Sequence, residues 1–381
     1  MIVTAFFALD GFVFANWVVC VPQVKQTVGA SSGGLGLALL AISAGAVATM
    51  VITGRLCAHF GSGRVCVAAA TLLSVSIAVP GQTDRVWELA ISLLVFGVGF
   101  GGLDVAMNSM AVELIARLRA PIMPGFHAAY SLGGLLGALA GGALAGVLSA
   151  GTHLLLIAAA SLLVTAVLAV SLRSVGAPPP SAAAAGPRAA ADPGVSNTRR
   201  LVALFGLIAL CSAYGEGAMA DWGSVHLHLD LHTSVSLAAS GFASFSAAMV
   251  AGRLGGSWML ARAGRTLVLA GGALMAAAGV LLAALVPSLV VAIVGFTLVG
   301  FGFANLFPAA LGEAGALAGP RGVAAASTIG YTGFLAGPPV IGFLAERVGL
   351  PAALTTISLL AAIAAVVAVA ARRAEPALLV V

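Results

Sequence analysis

Charge is what this sequence has least of: Asp, Glu, Lys and Arg together make up 8% of its 381 residues. A soluble domain carries roughly 25% charged residues, so most of this chain's surface cannot face water. Cysteine is scarce as well. Cys20, Cys57, Cys66 and Cys211 are scattered among apolar segments, with no spacing that suits a disulfide framework or a zinc site. No Walker sequence occurs, which leaves ATP-driven transport without support. The run GVGFGG at 97–102 imitates a dinucleotide fingerprint, but no strand precedes it and no βαβ unit surrounds it. No cofactor is therefore expected. The net charge of +5 does not mark a nucleic-acid surface, because the arginines fall at the ends of apolar runs and not on one face.

What is present is apolar: 61% of the residues are hydrophobic, and the mean hydropathy is +1.13. A helix needs about 20 apolar residues to cross the hydrocarbon core. By that criterion the chain divides into twelve spans, at 2–21, 34–53, 65–79, 87–112, 122–148 and 153–172, then 201–222, 236–254, 266–286, 289–311, 323–346 and 352–371. The expected fold class is an all-α membrane protein of twelve transmembrane helices. The first run lacks a basic leader and carries Asp10, so it reads as a span and not as a cleaved signal. Between the two sets lies 173–200, containing APPPSAAAAGP, which cannot bury a core and reads as a cytoplasmic linker. The domains expected are 1–172, a six-helix bundle, and 201–381, a second bundle with a short tail.

The basic residues orient the spans. With the N-terminus inside, Arg55, Arg64, Arg117, Arg119, Arg173, Arg188, Arg199, Arg200, Arg253, Arg262, Arg265, Arg321, Arg372 and Arg373 are cytoplasmic. The outside receives only Lys25, Arg85 and Arg347. The positive-inside rule then places a multi-pass protein in the cell inner membrane with both termini cytoplasmic.

The halves echo one another. GFGGLDVAMN in the fourth span matches GFGFANLFPA in the tenth, setting Asp104 against Asn305. At the same offset Tyr130-Ser131 meets Tyr331-Thr332; within a few residues of it Asn16-Trp17 pairs with Asp221-Trp222, and Gly54-Arg55-Leu56 with Gly252-Arg253-Leu254. Ordered matches at a nearly constant offset argue for parallel repeats of about six spans, the plan of the major facilitator fold.

The GRL segment followed by FGSGR, with its counterpart GRLGGSWMLARAGR, resembles the loop motif of the major facilitator superfamily. Ala58 stands roughly where that family carries an acidic residue in its first loop. More narrowly, GFVFANW, GGLDVAMNSMAVE, PIMPGFHAAYSLGG, EGAMADW and GYTGFLAGPPVIGFLAE resemble the MosC/YbjJ-like branch. The resemblance implies two pseudo-symmetric six-helix bundles that move a solute by alternating access. It also implies a central cavity lined by the first, fourth, seventh and tenth spans, and a cytoplasmic gate at Arg55, Arg64 and Arg253. The named member of the branch is associated with rhizopine, an amino-polyol.

An ionisable group at membrane depth costs about 2.5–3.5 kcal/mol on insertion scales unless it faces a cavity or a partner. The candidates for proton coupling are therefore Asp104, Asp10 and Glu216. Each has a plainer reading, as an interhelical hydrogen bond, an interfacial residue or a packing group. Asp104 and Asn108 are four apart and share a helix face. Substrate-binding candidates are Asn16, Trp17, Asn108, Phe126, Tyr130, Glu216, Asp221, Asn305 and Tyr331. Amides also serve helix association alone, and Trp also serves as an interfacial anchor. Asp221 is expected near the outer end. His127 shares a face with Tyr130 and reads as a titrating group or as a donor to a carbonyl.

No Arg or Lys is expected deep in a span, which disfavours strongly anionic substrates. A neutral polyol, a sugar-like molecule or an amine suits the carboxylates and amides. The run HLHLDLH at 226–232 could place three imidazoles on one side of a strand. A solvated outer loop is the simpler reading, and no metal site is expected. The partners expected are a small-molecule substrate, protons and the bilayer, with the chain a monomer and no nucleic acid. The leading reading is a proton-coupled secondary transporter and not an enzyme. Export of a drug or metabolite, and a sensor or scaffold that moves nothing, are the alternatives.

Overall fold

The computed structural model describes residues 1–118, 123–175 and 195–374. Most of the expected linker, Arg119, Arg188 and the tail beyond 374 lie outside the described residues. The helices are α1 (Ile2–Thr27), α2 (Ser32–Phe60), α3 (Ser62–Ser76), α4 (Val86–Leu118), α5 (Met123–Ala145) and α6 (Ala150–Val175). The second set is α7 (Val195–Leu229), α8 (Val235–Ala263), α9 (Arg265–Leu285), α10 (Leu289–Phe303), α11 (Leu306–Val348) and α12 (Leu350–Ala374). Among the described residues, twelve helical segments are long and apolar enough to cross a membrane. The tenth, Leu289–Ala318, is interrupted at Ala304–Asn305, so α11 supplies its second half as well as the eleventh, Ala325–Val348.

The helices pack twice over in one pattern. In the first half α1 lies on α5, α4 on α2 and α3, and α6 on α3 and α1. In the second half α7 lies on α11, α10 on α8 and α9, and α12 on α9 and α7. The contacts between halves obey the same exchange, with α5 against α8 and α11 against α2. This is the pseudo-symmetry read from the internal repeat. The junction before α3 and the one before α9 match too, each turning on a left-handed glycine, Gly61 (φ 86°) and Gly264 (φ 76°).

Scarce charge is explained by the perimeter. Leu163, Val167 and Val170 on α6, Leu254 on α8 and Val366 on α12 are more than half exposed, as helix faces packed against lipid tails require. Inside, α5 approaches α1 at backbone distance. A Cβ on Gly133 would strike the carbonyl of Ala8, and one on Gly137 would meet Phe12. Small residues permit such contact, and dispersion between close backbones stabilises it.

The bundle is closed at the end away from the termini. There α11 meets the start of α2: Glu346 accepts the Gly33 N–H at 2.8 Å, and Gly342 packs on Ser32. The first backbone N–H groups of a helix have no intrahelical partner, so a carboxylate from the opposite half caps α2. Gln26 on α1 also meets His228 on α7 at 2.9 Å. Glu346 is exposed to solvent, so water screens this cap and its contribution is small. Replacing Glu346 by Gln should raise thiol labelling of a cysteine placed at Gln26 modestly. Unchanged labelling would remove Glu346 from the closure.

Candidate functional site

A cavity of about 2370 Å³ opens at the end carrying the termini and runs up between the halves. Arg64, Arg117 and Arg173 line its mouth, while Asp104, Tyr331 and Arg253 line it farther along their helices. Of the expected gate residues, Arg64 stands at this mouth and Arg55 is exposed beside it.

Asp104 lies at mid-length on α4, where the GFGGLD segment brings Gly99 and Gly101 against α3 and α2. Asn108, one turn on, donates to the Asp104 carboxylate at 3.1 Å and to its backbone carbonyl at 2.8 Å. Tyr331 donates from the other half to the second carboxylate oxygen at 3.4 Å. No Arg or Lys pairs with Asp104 among the described residues. The Tyr331 ring stands between Phe307 and Phe334 at 6.3 and 6.1 Å, so the carboxylate meets the edge of an aromatic wall.

Arg253 is the residue the sequence misplaced. It was expected at a helix end, at the cytoplasmic gate, with no cation deep in any span. Instead α8 continues to Ala263, and the Arg253 guanidinium turns into the cavity. It donates to Ser131 at 2.6 Å and to Glu216 at 3.3 Å. Both members of the ion pair are about 15% exposed, at 14% and 15%. Ser212 steadies Glu216 through its other oxygen at 2.9 Å. The repeat accounts for the geometry. Ser131 follows Tyr130 as Thr332 follows Tyr331, and each of these segments sends one residue across to a charged group of the opposite half.

The remaining candidates separate into groups. Asn305 precedes α11 at the break in the tenth span, lines the cavity and donates to the Gly252 carbonyl at 2.9 Å. Asp10 is buried inside the first half, with neither carboxylate oxygen hydrogen-bonded. Asn16 turns away from the cavity: it donates to the Phe12 carbonyl and meets His153 at 2.8 Å, which in turn meets Cys20. Trp17 is fully buried, Phe126 stacks on Phe7 at 5.5 Å, and His127 meets the edge of Phe7. Tyr130 packs on α1 through its backbone, where a Cβ on Gly11 would strike its carbonyl. Asp221 is buried on α7, and none of these five except His127 lines the cavity.

The HLHLDLH run is only partly a loop, with 230–232 outside the helix. The helix α7 continues through His226 and His228 to Leu229. His226 bonds Asp230 at 2.7 Å and the Ala283 carbonyl at 3.0 Å, so it fastens α7 to α9. Two pairs escaped sequence reading altogether, Ser62 with Glu113 and Arg265 with Glu313. Each ties a helix start beyond a left-handed glycine to the lower end of the fourth or tenth span. The GRL…G spacing could have signalled the first members, but nothing local pointed to the glutamates.

The profile of the Major Facilitator Superfamily matches residues 1–327 and again 206–380. An uncharacterized MFS-type transporter of Yersinia pestis is 35% identical, over 93% of this chain and 91% of that one. Membrane protein MosC of Rhizobium meliloti is 30% identical, over 92% of this chain and 84% of its own length. The fold is similar to the crystal structure of a bacterial homolog of the human lysosomal transporter Spinster, solved inward-facing and unoccupied. The TM-score there is 0.76 at 18% identity, covering 98% of this chain and 96% of that one. The chain belongs to the Major Facilitator Superfamily, as a twelve-span membrane transporter that resembles MosC.

Proposed function

We propose that the chain is a proton-coupled secondary transporter of a small neutral or cationic polar solute, a polyol, a sugar-like molecule or an amine. It works by alternating access in the cell inner membrane, with both termini cytoplasmic. One observation carries this reading: Asp104 ends a one-sided cavity, held by Asn108 and by Tyr331 of the opposite half, with no cation paired to it. A carboxylate so placed can bind a solute hydroxyl or ammonium, or exchange a proton with the cavity. Because Tyr331 belongs to the other half, either event bears on how the halves sit together.

The three arginines at the mouth favour a cytoplasmic-facing cavity by the positive-inside rule, and closure by Glu346 at the far end fits an inward-open state. Arg253 adds a cation, but Glu216 neutralises it, so the preference for neutral or cationic solutes stands. A scaffold or sensor has no use for Asp10 and Asp104 at membrane depth. Export of a larger metabolite is favoured by one feature, the volume of about 2370 Å³, against roughly 300–1,000 Å³ for a common ligand pocket.

The deciding experiment uses proteoliposomes with an internal pH dye and a panel of polyols, amino-sugars and amines. The expected result is substrate-dependent proton movement for at least one class, with the productive gradient showing uptake or export. Solute flux without any proton movement would overturn coupling, and no flux for any class would overturn the carrier reading.

A further inference from the structure

Arg253 and Glu216 form a pair that the cavity sees from one side only. Arg253 lines the cavity and Glu216 does not. A guanidinium has five N–H donors in a planar fork and binds a carboxylate best through two parallel bonds. Here the guanidinium gives one N–H to Ser131 and one to Glu216, the latter at 3.3 Å. That is long beside the ~2.7–2.9 Å of a well-seated charged pair. The carboxylate is held back by Ser212, which bonds its other oxygen at 2.9 Å. A strong anion receptor thus stands in the solute cavity, loosely satisfied from behind by an acid of its own half.

We propose that Glu216 is a specificity-determining residue, an internal carboxylate that occupies Arg253 and so keeps carboxylate-bearing solutes from binding there. Specificity comes as readily from a built-in competitor as from an added contact. Without Glu216 the guanidinium is a buried, unpaired charge that takes any small carboxylate able to reach it. The geometry leaves such a carboxylate beside Ser131, with Asp104 lining the same cavity. The solute admitted is then a hydroxy acid or an amino acid in place of a polyol or amine. The inference rests on the cavity being the solute site.

The test is chemical rescue. Purified Glu216→Ala protein in detergent is titrated with sodium formate, with sodium chloride as the ionic-strength control, and the unfolding temperature is followed. Formate should stabilise the variant at concentrations about tenfold below any effect on the unsubstituted protein, as a ligand bound only by the folded state does. The double variant Glu216→Ala with Arg253→Met should lose that response. No formate effect on Glu216→Ala, or an equal effect on the double variant, overturns the proposal. Should Glu216→Ala not yield monodisperse protein, Glu216→Gln takes the same titration with the same two outcomes, since it still accepts from Ser212. The readout needs no transport, so failure of the carrier reading in proteoliposomes and failure here are separate results.

Discussion

Proteoliposomes carrying Asp104→Asn should lose substrate-driven proton movement by about a hundredfold, near the upper end of coupling between two sites. Exchange of labelled substrate without a pH gradient should persist. The reasoning is geometric. Asparagine keeps the size of the side chain and an oxygen that can accept from Tyr331, so the contact between halves survives. What disappears is the carboxylate proposed to gain and lose a proton. Asp10 and Glu216 are the other two acids proposed for coupling, and they are placed differently. Glu216 is tied to Arg253, and Asp10 lies inside the first half, off the cavity. Intact coupled transport in Asp104→Asn would move the proton site to one of them and leave the fold unaffected.

The second large effect concerns folding. Gly133→Val should abolish recovery of monodisperse protein, because its Cβ would overlap the Ala8 carbonyl on α1. Overpacking a tight contact costs about 1–3 kcal/mol when neighbours can yield, and more when the obstacle is backbone. Two packed helices would have to separate along their shared face. Gly125→Ala in the same helix is the control: its Cβ meets nothing within 4 Å and it lies in the first turn, so recovery should match the unsubstituted protein. Comparable yields of the two variants by size-exclusion chromatography would show that the α1–α5 contact is not set by Gly133.

Much of this architecture was legible before any coordinates. Hydropathy located the spans because each must be apolar over about 20 residues, and the repeat gave the pairing of halves. Gly133 and Gly137 of the fifth span carry its close contact with α1. What hydropathy cannot read is direction around a helix. Asn16 and Asp104 both interrupt apolar runs, yet one bonds His153 within the first half and the other faces the cavity. Arg253 was read as the end of a span because an arginine interrupts an apolar run. It is tolerated there by Ser131 and Glu216, which are 122 and 37 residues away in the chain. Such partners leave no local trace. Glu346 escaped for the same reason, since its partner is a backbone N–H on α2.

The break at Ala304–Asn305 has a mechanical side. Its counterpart α4 is a single helix of 33 residues running straight past Asp104, and a continuous helix transmits a push along its length. An interrupted one bends at the interruption. The fourth span is therefore a stiff member, and its counterpart carries an elbow where Asn305 lines the cavity. A pull on the Asp104–Tyr331 contact is absorbed where Asn305 holds the joint to α8. On the proposed alternating-access reading, two halves that descend from one plan would travel unequally, with the larger stroke in the C-terminal one.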